Sequence, residues 1–154
     1  MRDGIKALNK TGVCGENLWP YTIGKFRNKP TANCYTDAAK HKIVEYYRIN
    51  TLQDMKSCLA GRFPFVMGIS VYDSFESDLV AKTGIVPMPN KNEQLLGGHA
   101  VMACGYDDTT KRFLVRNSWG INWGMKGYMT MDYDYLTNRQ LSDDFWTIRR
   151  ATGL

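Results

Sequence analysis

Histidine is scarce in this chain, with His41 and His99 the only two among 154 residues. No Cys-x-x-Cys or His-x-x-x-His pair occurs, so a zinc site would lack ligands and no metal is expected. Cysteine is sparse as well. The four, Cys14, Cys34, Cys58 and Cys104, are too few for a disulfide framework and do not settle the redox compartment. No stretch approaches the roughly 18 apolar residues of a membrane span, and Met1-Arg2-Asp3-Gly4 begins no secretory signal. The expectation is a soluble chain without a membrane partner, its compartment left open. Runs of basic residues are missing too. Lys and Arg number 20 against 15 Asp and Glu, and the net charge of +5 is spread along the sequence, which reads as solvated surface and disfavours nucleic acid as a partner.

What is present suits one globular unit, since a hydrophobic content of 44% over 154 residues can supply a core. Cys58 and Cys104 fall within apolar runs and read as buried free thiols. Cys14 and Cys34 sit in loop-like sequence, which leaves a disulfide between them open.

The order of local signals is α+β. Ile5 and Leu8, with Asp3 before them and Gly12 after, predict a short helix over 2–10. Trp19-Pro20-Tyr21 turns the chain, and 22–35 reads as loop, with Thr36-Asp37 capping a brief helical turn before an extended 42–49. Thr51 and Asp54 form a capping-box pattern for a helix that Gly61 closes. Residues 64–71 are an apolar, β-branched run, hence a buried strand, and 73–78 can form a turn of helix. The stretch 82–96 reads as a long surface loop leading to His99. Strands follow at about 98–106 and 112–118 around the polar turn 107–111, then at 127–131. A helix over 133–141 and a closing strand over 145–149 complete the pattern. Pairing the two strands of the hairpin across a turn near residue 109 puts His99 and Asn117 within a bulge of each other, with His99 facing a cleft and Ala100 and Met102 turned away.

The segments Gly97-Gly98-His99-Ala100-Val101 and Asn117-Ser118-Trp119-Gly120-Ile121-Asn122-Trp123-Gly124 resemble the histidine and asparagine motifs of papain-like cysteine proteases. The resemblance extends over nearly the whole chain, from Arg2 through Trp19-Pro20-Tyr21 to Ile148. It implies a papain-like α+β fold, mainly the β-rich, barrel-like domain, treated as a single region 1–154. Within it 1–20 is a remnant of the helical domain and 21–154 is mostly the β-rich domain. It also implies that His99 is the general base toward a thiol and that Asn117 orients its ring. Trp119 would shield that hydrogen bond, and Trp123 would share the task and line the leaving-group side of the cleft. Gly68, Gly98 and Ala100 match pocket positions, and the glycines would open that pocket to bulky apolar or aromatic side chains. No cofactor is needed.

The nucleophile has no convincing match. In this family it lies about 130–150 residues before the histidine and asparagine, which runs past Met1 when counted back from His99. Cys14-Gly15 is the nearest imitation, but Glu16-Asn17 stands where a small residue and a second cysteine belong. The expectation is a peptidase of peptide or protein substrates with its cysteine absent from this chain, which alone is inactive. Two alternatives remain: a noncatalytic peptide-binding pseudoprotease, and a half-enzyme completed by an N-terminal segment on a separate chain.

Overall fold

The computed structural model describes residues 1–153. Helix α1 (Arg2–Lys10) and, after a single 3-10 turn at Ile23–Lys25, helix α2 (Ala32–Ala38) precede strand β1 (Ile43–Arg48). Thr51 then caps α3 (Leu52–Ala60) as its residue types predict: its hydroxyl accepts from the Asp54 N–H while the Asp54 carboxylate accepts from the Thr51 N–H. Strand β2 (Phe65–Tyr72) alternates buried and half-buried residues, and a 3-10 turn at Asp73–Glu76 leads into α4 (Asp78–Thr83). The hairpin β3 (Leu95–Asp107) and β4 (Arg112–Arg116) is followed by β5 (Tyr128–Asp132), α5 (Tyr133–Thr137) and β6 (Ser142–Ala151).

Four sequence expectations need correction. Helix α2 begins at Ala32, four residues before the Thr36 cap, because Thr31 starts it with extended backbone and no side-chain hydrogen bond to mark it. Helix α4 occupies the start of the 82–96 loop: Ser77 Oγ accepts from the Val80 N–H, and Gly84 ends the helix at φ 67°. Val86 in that loop is buried, with its N–H on Thr130 O, so the segment is not all surface. Helix α5 stops at Thr137, and β6 extends beyond 145–149 at both ends.

The chain divides into two units, one made of Met1 and Arg48–Thr147, the other of Arg2–Tyr47 with Ile148 onward. The first unit has the strand order β6-β2-β3-β4-β5, antiparallel throughout. Its core centres on Phe65, whose ring meets Phe113 and Phe145 edge-on at 6.1 Å each. Burying each such side chain contributes about 1.5–3 kcal/mol. Tyr135 donates its hydroxyl to Ser70 O at 2.7 Å and accepts from Ser142 Oγ at its own carbonyl, which fixes α5 beside β2 and the start of β6. In the second unit, Asn9 Nδ2 donates to Ile43 O and so ties α1 to β1. Charge is uneven between the units. The second carries ten basic and four acidic residues, the first ten and eleven, so the positive excess lies outside the unit that holds His99.

Candidate active site

The hairpin register decides how His99 meets Asn117. Met102 pairs with Arg116 and Ala103 with Val115, and the bulge falls between Ala103 and Gly105, on the turn side of these pairs. Continuing the register one step sets Asn117 against Val101, so His99, two residues along the same face of β3, is its diagonal neighbour. The expected bulge therefore does not join them. The diagonal does. Odd-numbered residues of β3 face the core, where Val101 is 5% and Ala103 0% exposed, and His99 sits where that buried row ends. Gly98, His99 and Ala100 all line one cleft, so His99 faces it as expected, whereas Ala100, expected to turn away, lines it too.

His99 Nε2 and Asn117 Oδ1 are 2.8 Å apart. A carboxamide oxygen only accepts, so Nε2 carries the proton and Nδ1 is the basic nitrogen of the neutral ring. The Ser118 N–H also donates to Asn117 Oδ1 at 2.8 Å, which holds the carboxamide in this orientation. The Asn117 N–H in turn donates to Gly127 O, and its side chain is 8% exposed, with Nδ2 buried and without a partner. Trp119 stacks on the imidazole, with ring centroids 5.2 Å apart and planes 28° from parallel. This covers one face of the hydrogen bond and strengthens it by excluding water.

Phe75 is the site residue that sequence reasoning missed. Its ring is 1% exposed and lies edge-on to both His99 and Trp119 and stacked on Trp123, while Trp119 and Trp123 meet edge-on at 5.2 Å. The 3-10 turn that carries Phe75 is tied to the loop before His99: the Glu93 carboxylate accepts from the Ser74 and Asn90 N–H groups, and Asp73 exchanges bonds with Gln94. Those N–H bonds hold the Glu93 carboxyl below its ordinary value. The spacing of Asn90 and Glu93 was the available signal, but nothing local linked it to Phe75.

Gly68, Gly98 and Ala100 come together with His99 in one cleft of about 550 Å³. Gly68 pairs with Ala100 on β3 and with Asp143 on β6, and a Cβ at Gly68 would stand 3.0 Å from Asp143 Oδ1. The space left by the glycine thus adjoins a carboxylate. Trp119 and Trp123 do not line this cleft. Two thiols of this unit are turned to backbone: Cys58 Sγ donates to Phe63 O and Cys104 Sγ to Leu114 O. Cys58 is buried as expected, whereas Cys104 is half-buried, and burial still raises its thiol above the ordinary value. Among the described residues no cluster of three His, Cys, Asp or Glu side chains is arranged for a metal ion, and no helix is long and apolar enough to cross a membrane.

The family model for papain family cysteine proteases matches residues 1–145. A peptidase C1-like protein of Acanthamoeba polyphaga mimivirus is 45% identical over 161 residues, covering 99% of this chain and 52% of its own length. A cathepsin L-like proteinase of Fasciola hepatica is 28% identical over 138 residues, covering 85% of this chain and 39% of its own. Among solved structures, xylellain, a cysteine protease from Xylella fastidiosa, superposes with a TM-score of 0.87 at 44% identity, over 96% of this chain and 60% of its own. The chain therefore spans about half, or less, of the curated relatives it matches. With the motifs, the antiparallel sheet and these likenesses in agreement, the chain belongs to the papain family of cysteine proteases.

Proposed function

We propose that His99 is the general base of a cysteine peptidase, that Asn117 orients it, and that the thiol it serves is none of the four cysteines of this chain. The hydrogen bond from Nε2 to Asn117 carries this reading, because it leaves Nδ1 unprotonated, and Nδ1 has no hydrogen-bond partner among the described residues. A thiol delivered to Nδ1 gives up its proton and attacks a peptide carbonyl carbon; an S–C bond forms as the C–N bond breaks. His99 then protonates the leaving amine, and water, deprotonated by His99, releases the acyl group. The stacked Trp119 ring favours the imidazolium that forms in between. A glutamine and the nucleophile's own backbone N–H, both belonging to the segment that brings the thiol, complete the reading as oxyanion donors.

The cleft modifies the substrate expected from sequence. Asp143 has no ion pair among the described residues and adjoins the space left by Gly68, whereas Asp144 is engaged by Trp146 Nε1 and Arg139 by Asn50 O. Arg48 and Arg139 line the same cleft, so it is the position of Asp143 beside the Gly68 space, not the net charge of the wall, that favours a long basic side chain over an aromatic one. The test of the base is labelling. The chain alone, treated with an epoxide or vinyl-sulfone thiol inhibitor, forms no rapid adduct that depends on His99. Fast single-site labelling abolished by His99→Ala would overturn this and reveal a nucleophile within the chain.

A further inference from the structure

The second unit holds a thiol pair for which the proposed peptidase chemistry has no use. The Val13 N–H donates to His41 O at 3.1 Å and the Gly15 N–H to Asp37 Oδ2 at 3.1 Å, so the residues on both sides of Cys14 are tied to the end of α2 and the chain after it. Cys34 and Asp37 stand three apart on α2 and so share a face. Cys34 Sγ reaches back to Leu18 O at 3.7 Å, across the loop that leaves Cys14, and lies 3.3 Å from Thr31 Oγ1. This bracket holds Cys14 beside the face of α2 that carries Cys34. Cys34 is 3% exposed and Cys14 is half-buried.

We propose that Cys14 and Cys34 are a reversible disulfide site, with Cys14 the attacking and Cys34 the resolving thiol. The oxidant is a low-molecular-weight disulfide of the glutathione class. The Cys14 thiolate attacks one of its sulfurs, forming a mixed disulfide and expelling one glutathione thiolate. The Cys34 thiolate then attacks the Cys14 sulfur, the bond to glutathione breaks, and the second glutathione leaves. The protein loses two protons and two electrons, and the oxidant is reduced to two thiols. Exposure sets the order, since the half-buried thiol can meet the oxidant and the buried one can meet only its neighbour. Burial, then Cys34, then Asp37 raise the Cys14 thiol above its ordinary value, which lowers its thiolate fraction and makes the first attack slow at neutral pH. Lys40 pairs with Asp37 at 3.6 Å. The link would close the segment that carries Tyr21, Ile23 and Phe26, which are 81%, 73% and 77% exposed, so it restrains a loop that packing does not.

The experiment treats the folded 154-residue chain with glutathione disulfide, blocks the remaining thiols by alkylation and cleaves with trypsin, which cuts after Lys25 and Arg27 between the two cysteines. The expected result is loss of two of the four thiols, no retained glutathione, and the Cys14 and Cys34 peptides joined until reduced. In Cys34→Ser the reaction stops at glutathionylated Cys14; in Cys14→Ser, Cys34 stays free. A stable glutathione adduct on the unmodified sequence, a link through Cys58 or Cys104, a link between chains, or Cys34 reacting at an unchanged rate in Cys14→Ser would each overturn the proposal. None of these outcomes depends on His99.

Discussion

Asn117 Oδ1 determines which imidazole nitrogen of His99 is basic, and that atom gives the site a direct spectroscopic handle. In ¹⁵N NMR of the chain at a pH where His99 is neutral, the ring is expected almost wholly as the Nε2–H tautomer. Asn117→Ala should give a mixture of tautomers, because the remaining Ser118 N–H cannot accept a proton. A dominant Nδ1–H form in the unsubstituted chain would contradict this geometry. These two residues were legible in the sequence because each sits inside a dense motif. Phe75 and Asp143 were not, since the turn that sets the first against His99 is tied in place by Glu93 and Asp73 far along the chain, and the second meets Gly68 only through the β2–β6 register. Asp143→Asn tests the second in a competent enzyme: any preference for a basic over an aromatic side chain in the cleft should fall by about two- to fivefold, given about 0.4–1 kcal/mol for an exposed charge pair. An aromatic preference before substitution would defeat that reading.

Elements were readable where two side chains cap a helix reciprocally. Thr51 with Asp54 announced α3, whereas Thr31 caps α2 without a hydrogen bond, and α4 depends on Ser77 and on Gly84, whose role becomes visible only beside Gly124. Gly124 has φ 58°; a Cβ there would stand 2.5 Å from Tyr128 O and 3.2 Å from the Gly84 Cα, while its N–H donates to Ala81 O. Gly124→Ala is therefore expected to cost about 3 kcal/mol or more in chemical denaturation. Gly4→Ala is the opposite case: it lies within α1 with nothing near its missing Cβ, and should raise stability by up to about 1 kcal/mol. Equal effects at the two positions would show that backbone strain and close approach do not shape the Trp123-Gly124 turn.

At the scale of the molecule, acid should be the weak side of stability. Asp37, Asp54, Glu93, Asp107 and Asp108 all have carboxyls held below their ordinary values, chiefly by backbone N–H groups, Thr51 and Lys56. Each binds its proton more weakly folded than unfolded, so its contribution is complete above the unfolded value and is lost as pH falls through the folded one. Thermal midpoints are expected to be flat above about pH 5 and to drop below about pH 4. A midpoint that rises on acidification would contradict the assignment. Separately, the Cys14–Cys34 link, which closes about 20 residues, should stabilise the chain by about 3 kcal/mol, reversibly with reductant.

Whether His99 serves a thiol from outside this sequence is decided by peptide hydrolysis with the chain joined to a segment carrying the glutamine and cysteine helix of the family. Thiol-dependent turnover is expected. It should fall by about 10²–10⁴-fold with His99→Ala, the range for removal of a general base, and by less with Asn117→Ala, which only orients the ring. A folded fusion that binds peptides without turnover, or one whose activity survives His99→Ala, would contradict the account.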